Sequence, residues 1–341
     1  MEDVKEGRFS PAVVYDGDTP VEYASVPLTC YEGKGYRRET FESISTLLEN
    51  YYASRDTITR IRQKSSDLRR IVQTALERSC KKYDLQLKQL KDTEKREKYR
   101  IYGELLNTYG YELKGGEKSF KCINYYDNEE ITIPLDPQLT ARENAQKHFD
   151  KYNKLKRTYE ALSQLTMETK AEVDHLESVS SALDIALEEN DLVQIKEELM
   201  EFGYVKKRRA NEKRPKITSK PFHYISSDGY DIFVGKNNYQ NEELTFKVAS
   251  GNDWWFHAKG IPGSHVIVKS NGQTDLPDRV FEEAGALAAY YSKGRENDKV
   301  EIDYIQKKNI KKVAGAAPGF VIYHTNYSLV ASPRCDLKEV K

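Results

Sequence analysis

Chemistry concentrates in one run, Asp253-Trp254-Trp255-Phe256-His257-Ala258-Lys259-Gly260-Ile261-Pro262-Gly263-Ser264-His265, which holds both tryptophans of the chain. If the run is a strand, alternation puts Trp254, Phe256 and Ala258 on one face and Trp255, His257 and Lys259 on the other. The first face can anchor a core. The second presents an aromatic ring, an imidazole and a cation, a set that binds single-stranded or looped RNA by stacking on bases and pairing with phosphates. The Pro262-Gly263-Ser264 turn lets backbone amides approach an anion, and it returns the chain so that His265 can lie beside His257. Partial protonation of these imidazoles near neutral pH would strengthen a phosphate contact. A plainer account of the same residues stays open, with both tryptophans in the core and both histidines hydrogen-bonded in turns. Metal binding is not expected, because His257 and His265 stand eight apart with no carboxylate or thiol pattern nearby. Ser264 lacks a nucleophile-elbow context, so no catalytic residue, metal or cofactor is assigned and the chain is not expected to be a free-standing enzyme.

Two basic groups could add phosphate contacts. Residues 205–220 hold eight Lys/Arg against one acid and almost nothing apolar. Such a segment cannot offset the entropy of packing and is expected to be a linker. Its Lys206, Lys207, Arg208, Arg209, Lys213 and Arg214 would gain affinity for a phosphate backbone by releasing counterions; a merely solubilising linker has the same composition. The second group is Lys307, Lys308, Lys311 and Lys312.

The elements that must position these residues fall in three parts. Ala12–Tyr15 and Val21–Val26 read as a hairpin around Asp16-Gly17-Asp18, and Thr40 or Ser43 opens a short helix through Tyr52. From about Ser54 to Leu106 there is no proline, and apolar residues at Ile58, Ile61, Leu68, Val72 and Ala75 restart at Leu76, Tyr83 and Leu90, a slipped heptad. From Tyr152 to Leu187 eight of eleven heptad seam positions are apolar. Between the two stretches lie Gly115-Gly116, the strand-like Ser119–Tyr126, a turn at Asp127-Asn128 and Glu129–Leu135. The expectation is an antiparallel coiled-coil hairpin with a small β tip. The last 120 or so residues switch to period-two runs (Tyr230–Val234, Leu244–Val248, Trp254–His257, Val266–Lys269, Val300–Tyr304, Gly319–Tyr323, Tyr327–Val330) with one helix from about Pro277 to Lys293. That predicts a compact, mainly antiparallel α+β domain, and an α+β multidomain protein as a whole.

Composition narrows the class further. The 54 basic and 54 acidic side chains cancel, but residues 64–100 hold twelve basic against six acidic and residues 141–200 eight against thirteen. Opposite helices of opposite charge suit antiparallel pairing, so part of this asymmetry is structural. Cys30, Cys80, Cys122 and Cys335 are far apart and form no metal spacing. With no secretory signal and no run near the ~20 apolar residues of a membrane span, reduced thiols in a cytoplasmic, membrane-free protein are expected.

The Asp253–Val268 string resembles the signature of the RNA-binding domain of the NFACT family, the bacterial RqcH and eukaryotic NEMF proteins, whose bacterial members are often labelled fibronectin-binding. Three more strings agree: Ser226-Ser227-Asp228-Gly229 leading to Val234-Gly235-Lys236-Asn237-Asn238; Ala286-Leu287-Ala288-Ala289-Tyr290-Tyr291-Ser292-Lys293; and Lys308-Asn309-Ile310-Lys311-Lys312 followed by Pro318-Gly319-Phe320. The resemblance implies residues 1–53 as a remnant of the family's N-terminal region, 54–200 as its coiled-coil middle domain (helices about 54–106 and 141–200, tip 107–140), 201–220 as linker and 221–335 as the RNA-binding domain. The rest of the large N-terminal domain, with its helix-hairpin-helix part, is not matched, so a fragment of this kind should keep binding surfaces and lose tail synthesis. The resemblance also implies a ribosome-associated quality-control factor. It would bind a large ribosomal subunit (rRNA) obstructed by peptidyl-tRNA, recruit tRNA, and direct untemplated alanine tailing of the stalled chain. RNA contacts are then expected at Lys236, Asn237, Asn238, Trp255, His257, Lys259, Pro262, Gly263, Ser264, His265 and the four lysines Lys307, Lys308, Lys311 and Lys312. The rival expectation is a surface adhesin that binds fibronectin.

Overall fold

The computed structural model describes residues 6, 7, 9–16, 19–207, 217–273 and 275–340. They fall into two units, one built from the chain up to Ala75 together with Asp174 onward, the other from Leu76–Val173. The first unit opens with β1 (Ala12–Asp16), which pairs antiparallel with β2 (Thr19–Ala24) and β3 (Arg37–Thr40). The tip of the β1–β2 hairpin, Gly17-Asp18, lies outside the described residues. Val13 and Tyr15 close a small core against Leu47 and Tyr51 of the helix that follows.

That helix, α1 (Ile44–Thr93), contains neither proline nor glycine. Its start is capped by Ser43, whose Oγ accepts from the Thr46 N–H at 3.1 Å. The short helix and the long one expected from the sequence are therefore one element, since nothing between Tyr52 and Ile58 breaks a helix. α2 (Arg96–Tyr109) follows after a tight turn. Strands β4 (Ser119–Ile123) and β5 (Glu130–Pro134) pair as the expected hairpin, and their Phe120 and Ile133 pack on Tyr102, Leu105 and Leu106. A capping box starts α3 (Ala141–Ile185): Thr140 Oγ1 accepts from the Glu143 N–H at 3.3 Å, and Glu143 Oε2 accepts from the Thr140 N–H at 2.8 Å. The break before α4 (Glu189–Glu201) is held by Asp191, whose carboxylate accepts from the N–H groups of Leu187 and Glu188, both at 3.0 Å.

Pairing of the long helices is visible separately in each unit. In the first, Arg69 of α1 donates to the Asp184 carboxylate and the Leu183 carbonyl of α3, and Lys64 lies 2.5 Å from Glu189. In the second, the Arg96 guanidinium lies 4.0 Å from the Tyr159 ring centre, and Tyr99 stacks on His148 at 6.1 Å. There Gly103 faces Phe149 so closely that a Cβ would fall 2.7 Å from the ring. Within each unit these polar and ring contacts run to lower residue numbers on one side as they rise on the other, as expected of an antiparallel hairpin. Its seam is partly polar: Ser79, Gln86, Thr166 and Thr169 are buried in it. The two threonines donate to the Leu162 and Leu165 carbonyls at 2.6 and 2.8 Å, which satisfies their hydroxyls without a partner across the seam.

The C-terminal part is a sheet of β6 (Phe222–Ile225), β7 (Asp231–Val234), β8 (Trp254–Ala258), β9 (Val266–Val268), β10 (Val300–Gln306) and β13 (Tyr327–Ala331). Their spatial order is β13-β10-β8-β9-β7-β6 and every pairing is antiparallel. α5 (Asn238–Glu243), which runs into a wider helical turn over Leu244–Val248, covers one face, where Leu244 packs with Trp255, Ile267 and Ile305. α6 (Asp278–Tyr290) covers the other, where Val280, Ala284 and Leu287 bury Phe256, Ala258, Val266 and Val268. Each such large apolar side chain contributes roughly 1.5–3 kcal/mol when fully buried. The alternation of Leu244–Val248 predicts a strand and the structure makes it helical. Asn237 starts a helix there, its Oδ1 accepting from the Gln240 N–H at 3.1 Å, and the apolar residues that follow continue it. A short ribbon of β11 (Lys311–Lys312) and β12 (Val321–Ile322) completes the α+β domain.

Candidate nucleic-acid interface

Strand register builds a polar row across the sheet. Phe256 pairs with Val266, His257 with Asp303, and Asp303 with Ser328. Ser328, Asp303, His257 and His265, the last just before β9, therefore line up on the face opposite α6. The imidazoles of His257 and His265 lie edge to face at 5.5 Å, side by side as the hairpin geometry predicts. The Trp255 indole stacks on His257 at 5.6 Å. Asp303 is buried and accepts from the Tyr323 hydroxyl at 2.9 Å and from Ser328 Oγ at 2.7 Å. His265 Nδ1 shares a 2.8 Å hydrogen bond with Thr245 Oγ1, and its backbone N–H donates to Asn241 Oδ1 at 3.0 Å.

The electrostatics of the row differ from the sequence expectation. Burial pushes the His257 pKa down, against the opposing effect of hydrogen bonds to the Gly263 and Ala258 backbone and of the Asp303 carboxylate. Burial and then the neighbouring His257 hold His265 well below the usual imidazole range. Both shifts disfavour the imidazolium form, against the partial protonation expected from the sequence. Burial raises the Tyr323 phenol, reinforced by its bond to Asp303.

Several of the expected contact residues are buried. Trp255 is 1% exposed beneath the Leu244 turn, so it has no face to offer a base. Ser264 is buried with its N–H on the Tyr291 carbonyl at 2.9 Å, and its Oγ has no hydrogen-bond partner. The Pro262 carbonyl accepts from the Lys293 N–H at 2.9 Å, and a Cβ on Gly263 would stand 3.0 Å from that of Ser292. The turn is used to close against the end of α6 and does not form an open nest of amides. His265 is buried as well. On the surface remain His257, half-buried, and Lys259, which is exposed and paired with Glu301.

Lys236, Asn237 and Asn238, also expected at the RNA surface, lie inside the fold. All three are buried against α3 and α4. The Lys236 ammonium lies 3.4 Å from the Asp191 carboxylate and 4.4 Å from the Phe222 ring centre. Asn237 donates to Gln194 Oε1 at 2.8 Å; Asn238 donates to Glu198 Oε1 at 2.7 Å and to Ser178 Oγ at 2.8 Å. They fasten the sheet domain to a stripe of acid and amide groups on α4. The stripe, Asp191, Gln194 and Glu198, was present in the sequence as polar residues on one helical face.

The lysines stay outside. Lys308, Lys311 and Lys312 are exposed and Lys307 is half-buried on the turn after β10. Lys312 pairs with Glu242 at 2.7 Å. Among the described residues no carboxylate lies within ion-pair distance of Lys307, Lys308 or Lys311. Lys206 and Lys207 are exposed, while Arg208, Arg209, Lys213 and Arg214 lie outside the described residues. Asp303, Tyr323 and Ser328 were not anticipated; the alternation Val300–Tyr304, which puts Asp303 on the histidine face, was the available signal. Among the described residues no group of three or more His, Cys, Asp or Glu is placed to hold a metal ion, and no helix is long and apolar enough to cross a membrane.

The fold is a helical hairpin followed by an antiparallel sheet domain, with a polar row and exposed lysines beside it. Comparison with known proteins gives the family. Residues 1–218 match the NFACT N-terminal and middle domains and residues 220–324 match the NFACT protein RNA binding domain, so the chain belongs to the NFACT family. It is 42% identical over 326 residues to the Rqc2 homolog RqcH of Streptococcus suis, covering 95% of this chain and 57% of that protein. To the Rqc2 homolog RqcH of Bacillus subtilis it is 36% identical, covering 98% of this chain and 58% of that one. The chain thus spans somewhat more than half the length of these relatives. Among solved structures it is similar to the C-terminal part of the fibronectin/fibrinogen-binding protein from Streptococcus suis, with a TM-score of 0.62 and 38% identity over 81% of this chain and 97% of that one.

Proposed function

We propose that this chain is the subunit- and tRNA-engaging part of a cytoplasmic ribosome-associated quality-control factor. The intact factor binds large ribosomal subunits obstructed by peptidyl-tRNA and directs untemplated alanine tailing of the stalled chain, and this part contributes the binding. The ribosome supplies the peptide-transfer chemistry, and this chain supplies positioning without catalytic residues of its own. The observation that carries the reading is the match of the sheet domain to an RNA binding domain, joined to a helical hairpin in relatives named as Rqc2 homologs. Exposed Lys308 and Lys311 with half-buried Lys307, free of carboxylate partners among the described residues, supply a surface suited to phosphates.

The test is co-sedimentation of the purified chain with large subunits, vacant or carrying peptidyl-tRNA, over a range of salt. Binding to the obstructed subunit that weakens steeply with salt is the expected result. A second reading, fibronectin binding, is favoured by the name of the similar Streptococcus suis structure. If the chain ignores subunits and tRNA at low salt but captures fibronectin with little salt dependence, the RNA reading is wrong and the adhesin reading stands.

A further inference from the structure

Away from the polar row, within the first unit, a cleft of about 100 Å³ opens between α1, the turn from α3 to α4 and the end of α6. Its charged walls are Arg62 and Arg69 from α1, Asp184 from α3 and Arg295 from the loop after α6, a net excess of two positive charges. Ile61, Leu187 and neighbouring apolar side chains form the rest of the lining. The three guanidinium groups are not equivalent. Arg69 is committed to the Asp184 carboxylate and the Leu183 carbonyl, and forms a fixed wall. Arg295 lies over the Tyr290 ring, 3.9 Å from its centre, and donates to the Tyr290 hydroxyl. That contact orients its planar fork while leaving other N–H groups available. Arg62 is exposed, and among the described residues no carboxylate lies within ion-pair distance of it or of Arg295.

Two guanidinium groups lining a small cleft with apolar walls, one of them oriented by the Tyr290 ring, suit one oxyanion. Arginine forks match phosphate oxygens with paired, charge-assisted hydrogen bonds, and a cleft lined by one sign of charge focuses its field on the ligand. The placement favours a phosphate of RNA. The segment that carries Arg295 is hydrogen-bonded to the loop between His257 and His265, through Ser264 N–H to Tyr291 O and Lys293 N–H to Pro262 O, both at 2.9 Å. We propose that this cleft, with Arg62 and Arg295 as ligands and Arg69 as its fixed wall, is a subsite that grips one phosphodiester of the bound RNA. The proposal rests on the RNA-binding reading above and adds to it a contact outside the β-sheet.

The test uses the full chain and fluorescently labelled deacylated tRNA, with affinity measured by anisotropy at several salt concentrations. Arg62→Gln/Arg295→Gln should weaken binding about ten-fold or more and flatten the slope of log affinity against log salt by about 0.7–0.9, one phosphate contact. Arg62→Lys/Arg295→Lys should restore the slope but not the full affinity, because an ammonium lacks the fork. Arg62→Gln alone, at an exposed position, guards against a folding defect and should still cost about three-fold, roughly half of the double variant's loss in free energy. Wild-type binding to tRNA with unchanged affinity and slope in both Gln variants overturns the subsite and leaves the RNA reading standing. Failure of the wild type to bind tRNA overturns both. A melting temperature raised by inorganic phosphate in the wild type, lost in the double variant, with tRNA affinity unmoved, would make the cleft a free-phosphate site and refute the RNA contact.

Discussion

If Asn238 fastens the sheet domain to α4, replacing it with aspartate should be far worse than its size suggests. Its Nδ2 lies 2.7 Å from Glu198 Oε1 and 2.8 Å from Ser178 Oγ, and both Asn238 and Glu198 are buried. Asn238→Asp puts a carboxylate oxygen where the donor stood. Two unit charges at that separation repel by about 6 kcal/mol at an effective dielectric of about 20. Protonating one carboxyl from an ordinary pKa near 3.9 costs about 4 kcal/mol at pH 7 and is the cheaper escape. The new O–H donor returns about 1 kcal/mol, leaving a loss of about 3 kcal/mol. The sign of the pH dependence follows: the variant pair has a raised carboxyl pKa when folded, so lowering the pH from 7 to 5 should recover up to about 2.7 kcal/mol relative to wild type. Asn238→Ala should lose about 2–3 kcal/mol for two hydrogen bonds, one of them to a carboxylate, with no such recovery. Urea unfolding followed by tryptophan fluorescence reads this domain, since Trp254 and Trp255 both lie in β8. An aspartate variant within about 1 kcal/mol of wild type at pH 7, or one that gains nothing at pH 5, refutes the fastening role. Weakened tRNA binding at unchanged stability would return Asn238 to the RNA surface.

The lysines and histidines give two further tests. Lys307→Gln/Lys308→Gln/Lys311→Gln should flatten the salt slope of tRNA binding by about 2–3, whereas Lys312→Gln, whose ammonium is already held by Glu242, should barely change it; equal effects would mean that local pairing does not decide which lysine meets phosphate. His257 and His265 have lowered pKa values in the fold, so below about pH 6.5 the unfolded chain takes up protons that the folded one does not. Stability then falls with decreasing pH by at most about 1.4 kcal/mol per unit per histidine. His265→Gln should remove part of that slope between pH 6.5 and 5 in the same urea assay, and an unaltered slope would show that His265 is not held neutral.

How far a residue's role could be read from sequence depended on the range of its contacts. The antiparallel hairpin was legible because heptad spacing and missing proline are local, and so was the strand alternation that put Phe256 and Trp255 on opposite faces. What alternation could not say is that both faces are covered. Trp255 lies under Leu244, and the Leu244–Val248 turn is helical because a capping bond at Asn237 starts it; a period-two reading of the same letters exposes the indole. Lys236, Asn237 and Asn238 look like surface polar residues until α4, some 40 residues upstream, supplies Asp191, Gln194 and Glu198. The same reasoning separates the lysines: Glu242 claims Lys312 from 70 residues away, while the three others have no carboxylate partner among the described residues. Polar side chains in this protein thus divide by whether a long-range partner of opposite character exists within the fold. Arg62 and Arg295, which line a cleft and have no such carboxylate among the described residues, fall with the lysines on the side left open to an outside partner.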